Sequence, residues 1–252
     1  MEQNDKDTWR STLEMAELPV QDATNATSGG FPVEIRGGES EERLYLHDLK
    51  VTEGGKVIRI RKTAMPDIES IVARHKARYH LPAFFCRPGM RLLDFPCGSG
   101  YAHEIFSDLG IYYEGYDIDS PTISYCNHLY QGDFYVGDLT EPALIPDNYD
   151  IIACIEGLEH IGKAHQKPLI MAFFYALKPN GILVVSSPEA IEESGPSDKN
   201  PHHKWELTYN DFTMLLSNVF DSVQILTHPE ILHNGTKTNQ LFGICRKVAD
   251  HG

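Results

Sequence analysis

The pattern of apolar and polar positions changes character along the chain. Residues 1–42 show no sustained period and include the polar runs QDATNATSGG at 21–30 and GGES at 37–40, which predicts a loose arm. The run KVIRIRK at 56–62 alternates as a half-buried strand does, and IESIVARHKARYHL at 68–81 reads as a helix. From residue 90 the pattern becomes regular. Short apolar runs at 90–95, 112–117, 134–138, 149–155 and 181–187 alternate with helix-length segments at 101–109, 121–130 and 163–178. Strands alternating with helices predict an α/β fold, a doubly wound parallel sheet covered on both faces. Asp119-Ser120-Pro121 supplies a cap and a first-turn proline for the second of these helices, and Lys178-Pro179-Asn180-Gly181 closes the third. After a polar loop at 188–204, a helix at about 208–218 and runs at 223–228 and 241–247 predict a closing antiparallel pair.

Charge divides the chain along the same lines. Residues 1–42 hold ten acids and three bases, whereas residues 56–91 hold nine bases and two acids. The expected organisation is an acidic arm at 1–42, a basic cap at 43–89 and a main domain at 90–252. A solvated face explains the basic segment; so does a cap that draws an anionic ligand towards the main domain. The whole chain, at 252 residues and 41% hydrophobic, is long enough to bury a full core. Its formal charge of −14 argues against nucleic acid as the main partner. No apolar run approaches the ~18 residues of a membrane span, and MEQNDKDTWR lacks the pattern of a signal peptide, so a cytoplasmic protein is expected. Five cysteines without a C-x-x-C pair predict reduced packing residues.

The most informative stretch is Leu92-Leu93-Asp94-Phe95-Pro96-Cys97-Gly98-Ser99-Gly100, a buried strand running into a glycine turn and then a helix. Gly98 and Gly100 let a ligand approach the backbone, and a helix start offers unpaired amides. Asp117 ends the next strand, where a carboxylate can accept both hydroxyls of a ribose. Together they point to an adenosine-containing cofactor. A dinucleotide fingerprint wants a small third residue where this chain has His103, which argues against a nicotinamide.

Over residues 75–247 the chain resembles the class I S-adenosylmethionine-dependent methyltransferases. The likeness rests on 92–100, on Asp117, on Gly137-Asp138-Leu139, on Tyr149-Asp150-Ile151-Ile152 leading into Glu156-Gly157-Leu158-Glu159-His160-Ile161, and on Leu177-Lys178-Pro179-Asn180-Gly181. It implies a seven-stranded Rossmann-like sheet with an antiparallel last strand, and S-adenosylmethionine as cofactor. It further implies that Asp94, Gly98 and Gly100 shape the methionine pocket and that Asp117, with Ile118 beside it, holds the ribose. Asp138 and Leu139 would flank the adenine, Glu156 would lie beside the sulfonium, and Tyr79 with Arg78 would reach the cofactor carboxylate. Within the superfamily the chain is similar to sugar and glycosyl-cluster methyltransferases and to small-RNA 3′-terminal 2′-O-methyltransferases, through Glu-x-x-Glu-His and His203-Lys204-Trp205-Glu206-Leu207-Thr208. The acceptor expected is a small-molecule hydroxyl, on a sugar or other metabolite. An RNA terminal ribose and a non-catalytic cofactor-binding module are the alternatives, and a homodimer is compatible with the sequence.

Glu156, Glu159 and His160 fall at i, i+3 and i+4, so a helix would align them on one face. With His203 from the polar loop they form a candidate site for a divalent ion: Mn²⁺, Fe²⁺, Co²⁺ or Zn²⁺, and less readily Mg²⁺. Without an ion, His160 is the candidate base and His203 the second.

Overall fold

The computed structural model describes residues 33–37, 43–198, 200–231 and 237–249. Of the acidic segment 1–42, the proposed loose arm, all but residues 33–37 lies outside the described residues.

Two sheets organise the chain. The larger has seven strands: β4 (Arg91–Asp94), β5 (Tyr112–Asp117), β6 (Asp133–Val136), β7 (Tyr149–Cys154), β8 (Leu177–Pro188), β9 (Ser222–Ile231) and β10 (Lys237–Arg246). Their spatial order is β6-β5-β4-β7-β8-β10-β9, with β10 antiparallel to both neighbours and the other adjacent pairs parallel. This is the α/β Rossmann-like sheet expected.

Strand periodicity assigns the core. Leu92, Ile151, Ala153, Ile182 and Val184 face one side, where they meet Tyr79, Phe106, Ile123 and Tyr125. The alternate residues Leu93, Ile152, Cys154, Leu183 and Val185 face the other side and meet Leu169, Phe173, Phe212 and Leu216. The first face is covered by α1 (Ile68–Phe85), α2 (His103–Phe106) and α3 (Ser120–Leu129), the second by α4 (Lys163–Ala176) and α5 (Tyr209–Ser217). α3 starts as its sequence predicts: the Asp119 carboxylate accepts the Thr122 amide at 3.0 Å. All five cysteines are buried and free of disulfides. Among the described residues no helix is long and apolar enough to cross a membrane.

Two local expectations are corrected. The single helix expected at 101–109 is one short turn, α2, followed by a 3-10 turn over Ser107–Leu109, with left-handed Gly100 and Gly110 at its two ends. The helix expected to align Glu156, Glu159 and His160 is a 3-10 turn over Leu158–His160, entered from a left-handed backbone at Glu156 (φ 54°).

The smaller sheet is β1 (Val33–Gly37), β3 (Lys56–Arg61) and β2 (Leu49–Glu53), in the order β1-β3-β2. β2 and β3 form a hairpin around Gly54-Gly55. β1 pairs with β3 in parallel and comes from the acidic segment, so this sheet draws on both sides of the boundary placed at residue 42. Its inward residues Val51, Ile58 and Ile60 join Tyr45 in the core on the α3 side.

Candidate active site

In a parallel sheet the carboxyl ends of the strands share one edge, and here β4, β5 and β7 bring the predicted residues there. Asp94, at the end of β4, is fully buried and accepts a 2.6 Å hydrogen bond from the Tyr113 hydroxyl. Burial pushes its carboxyl up to about 8, while hydrogen bonds from Tyr113 and Tyr79 pull the other way. Its second oxygen is buried with no hydrogen-bond partner among the described residues. Gly98 adopts φ +54° and a Cβ there would meet nothing within 4 Å, so the turn is open to a ligand. Gly100 (φ +75°) has the opposite reason to be glycine: a Cβ would lie 2.9 Å from Cys126 Sγ and 3.1 Å from Phe134. An orphaned buried carboxylate oxygen beside an open glycine turn fits a ligand carrying an amino group, as the methionine end of S-adenosylmethionine does.

Asp117 is nearly buried at the end of β5, and its Oδ1 accepts the Asp119 amide at 2.9 Å and the Arg43 guanidinium at 2.7 Å. Ile118 is exposed, as suits a residue meeting an adenine or ribose. Asp138 caps its own turn through Thr140, at 2.7 Å to the amide and 2.8 Å to the hydroxyl, and Leu139 is buried beside it. Tyr79 stands edge-on to Tyr101 and Phe106 within the core.

At the end of β7 the structure gathers three of the four candidate ligands. One donor atom each from Glu159, His160 and His203 lie within 4.8 Å of one another. Glu159 is 1% exposed, and neither of its oxygens has a hydrogen-bond partner among the described residues. Burial, then the nearby Glu156 carboxylate, holds its carboxyl well above the usual range. The His160 and His203 rings meet edge to face at 5.1 Å, and His203 Nδ1 lies 2.6 Å from Glu206 Oε1. A carboxylate on one imidazole nitrogen orients the ring for work at the other.

Glu156 is not brought into this group. The left-handed backbone turns it to Arg78 at 3.2 Å, to the Ser186 hydroxyl at 2.8 Å and to Gln240. Arg78 in turn holds Glu230 through one nitrogen, at 3.0 and 3.1 Å to its two oxygens. Arg78 is thereby committed to two protein carboxylates.

Sequence reasoning missed the residue that ties the cluster together. Gln166, buried on α4, donates from Nε2 to the carbonyls of Leu158 and Trp205, both at 3.0 Å. It joins the turn carrying Glu159 and His160 to the loop carrying His203, and the Trp205 amide adds a 3.1 Å bond to the Glu159 carbonyl. The signal was present: Gln166 shares a helical face with Leu169, Ile170 and Phe173, where a polar residue needs a buried partner. Trp205 packs against the same core, with Lys163 Nζ 5.1 Å from its ring centroid.

Comparisons with known proteins agree with the fold. A family model described as a methyltransferase domain matches residues 69–224. A Mycolicibacterium smegmatis protein named "Probable S-adenosylmethionine-dependent methyltransferase" is 30% identical over 146 residues, 57% of this chain and 56% of that protein. The mitochondrial ubiquinone biosynthesis O-methyltransferase of Schizosaccharomyces pombe is 27% identical over 109 residues, 40% of this chain and 39% of that protein. The chain thus spans about half the length, or less, of these curated relatives. A crystal structure of a SAM-dependent methyltransferase from Archaeoglobus fulgidus shares the fold, with a TM-score of 0.58 at 19% identity, over 71% of this chain and 94% of that one.

Proposed function

Because the chain belongs to the methyltransferase-domain family, we propose that it transfers the methyl group of S-adenosylmethionine to a hydroxyl oxygen of a small-molecule acceptor, a sugar or other metabolite. The O-methyltransferase name of the S. pombe relative supports oxygen as the acceptor atom. The observation that carries the reading is the Glu159, His160 and His203 cluster on the same sheet edge as the glycine turn and Asp117.

The cofactor supplies an electrophilic methyl group, so the protein's part is alignment and management of one proton. Asp94 and the turn at Gly98 would hold the methionine end, and Asp117 the ribose. Glu156, braced by Arg78, Ser186 and Gln240, presents negative charge beside the sulfonium position. The acceptor hydroxyl then meets a histidine that takes its proton. Both rings are held at Nδ1, His160 by the His202 carbonyl at 3.2 Å and His203 by Glu206 at 2.6 Å, so His160, the first candidate, and His203 would each be set to take that proton at Nε2.

A second reading has one observation in its favour. Both oxygens of Glu159 are buried with no hydrogen-bond partner among the described residues, and His160 Nε2 lies 3.9 Å from one of them, which suits a cation held with His160 and His203. Nitrogen and oxygen donors fit Mn²⁺, Fe²⁺, Co²⁺ or Zn²⁺, and such an ion would lower the hydroxyl pKa.

The test is transfer of label from S-adenosylmethionine to a panel of free sugars and other hydroxyl-bearing metabolites. His203→Ala should lose about 10²–10⁴-fold in turnover while cofactor binding is kept. Turnover that survives a chelator supports the base; turnover abolished by chelation and restored by Mn²⁺ supports the ion. Full activity in both His160→Ala and His203→Ala would refute both.

A further inference from the structure

Asp117, the carboxylate read above as the ribose ligand, already has a charged partner. Arg43 Nη2 lies 2.7 Å from its Oδ1, and the Asp117 side chain is only 5% exposed. Arg43 and the Asp119 amide share Oδ1, so a ribose that reaches for both carboxylate oxygens meets Arg43 at one of them.

The backbone that carries Arg43 is laced to the same edge. The Leu44 carbonyl accepts the hydroxyl of Ser99, inside the glycine turn. Tyr45 is fully buried, and its hydroxyl shares a 2.7 Å hydrogen bond with Thr122 in the first turn of α3. The Tyr45 amide and carbonyl both pair with Thr63, each at 2.9 Å. The His47 amide donates to the Tyr125 hydroxyl at 3.0 Å. On the neighbouring strand β1, Arg36 reaches Asp119 at 2.5 Å, two residues beyond Asp117. Residues 43–47 therefore run as a strap over the glycine turn, Asp117 and the start of α3.

We propose that this strap is an internal competitor for the cofactor: Arg43 holds Asp117 in the cofactor-free protein, and ribose hydroxyls gain Asp117 only when Arg43 lets go. The proposal rests on the ribose reading of Asp117. Physically, a charge-assisted pair is exchanged for hydrogen bonds from neutral hydroxyls, so apparent affinity falls by the fraction of molecules with Arg43 released. The demethylated product carries the same ribose and meets the same competition. Return of Arg43 to Asp117 would therefore speed product release, a step that limits turnover in many enzymes.

The experiment is calorimetric titration of the full chain with S-adenosylhomocysteine, in the wild type, Arg43→Gln, Asp117→Asn and the double variant. The strap predicts that Arg43→Gln binds about three- to tenfold more tightly, and that the same change has no effect when Asp117 is already Asn. Unchanged or weaker binding by Arg43→Gln, with Asp117→Asn still weakened, overturns the strap and leaves the ribose reading intact. No binding by the wild type, or unaltered affinity in Asp117→Asn, removes the ribose reading and the strap with it. Circular dichroism checks that each variant folds. Should Arg43→Gln fail to fold, Arg43→Lys replaces it: the single ammonium holds Asp117 less firmly, so tighter binding supports the strap and unchanged binding overturns it.

Discussion

Asp94 is a residue whose ionisation couples to folding with a readable sign. An ordinary unfolded aspartate titrates near 3.9, whereas the buried Asp94 carboxyl is pushed up to about 8. Between those values the folded protein keeps a proton that the unfolded chain has lost. The stability this contributes is complete below about pH 4 and is lost as the pH rises through about 8. The melting temperature of the cofactor-free protein should therefore fall from pH 5 to pH 8, and Asp94→Asn should flatten the decline. Glu159, also raised, acts in the same direction and keeps the flattening partial. Equal slopes in wild type and variant would contradict the assignment. Gln166 offers a second residue-scale test. Gln166→Leu strands the Leu158 and Trp205 carbonyls, at a cost of about 1–3 kcal/mol, and frees the His203 loop. Urea unfolding should show the loss, and turnover should drop with cofactor affinity unchanged; a drop in cofactor affinity instead would contradict a role confined to the acceptor side. The positions of Asp94 and Asp117 at the carboxyl ends of β4 and β5 were legible in the sequence because a short strand-forming run stops at each. Glu156 was misplaced because a left-handed backbone turned it away from the i, i+3, i+4 face, and one residue's φ leaves no mark on periodicity.

At the scale of elements, β4, β7 and β8 bury both faces in two core clusters, so they stand out as continuous apolar runs and the large sheet could be read directly. Two strands of the small sheet could not: β2 has one buried position in five, and β1 lies in a polar, acidic segment where pairing with β3 decides its structure. The closing strands show how tightly the elements interlock. A Cβ on Gly243 of β10 would lie 2.4 Å from Leu216 Cδ1 of α5 and 3.1 Å from Val185 Cγ1 of β8. Gly243→Ala should therefore overpack the core and cost about 1–3 kcal/mol, read as a lowered urea midpoint. An unchanged midpoint would mean that α5 sits less closely on β10 than described.

The whole molecule joins a seven-stranded cofactor-binding sheet to a smaller sheet, and the join combines a shared apolar core with ion pairs. Arg43 with Asp117 and Arg36 with Asp119 place cations from the first 43 residues on acids at the end of β5. Neither pair was legible in the sequence: Arg36 lies in the acidic segment, Arg43 lies outside the basic run at 56–91, and contacts 83 and 74 residues apart have no local signature. Everything proposed for the acceptor side depends on the cofactor being bound at that edge. Calorimetric titration of the full chain with S-adenosylmethionine, in wild type and Asp117→Ala, tests this most directly. The account predicts one site per chain, with binding weakened by about 2 kcal/mol or more in the variant as charge-assisted hydrogen bonds to the ribose are lost. No heat of binding in the wild type, or equal affinity in the two proteins, would contradict it.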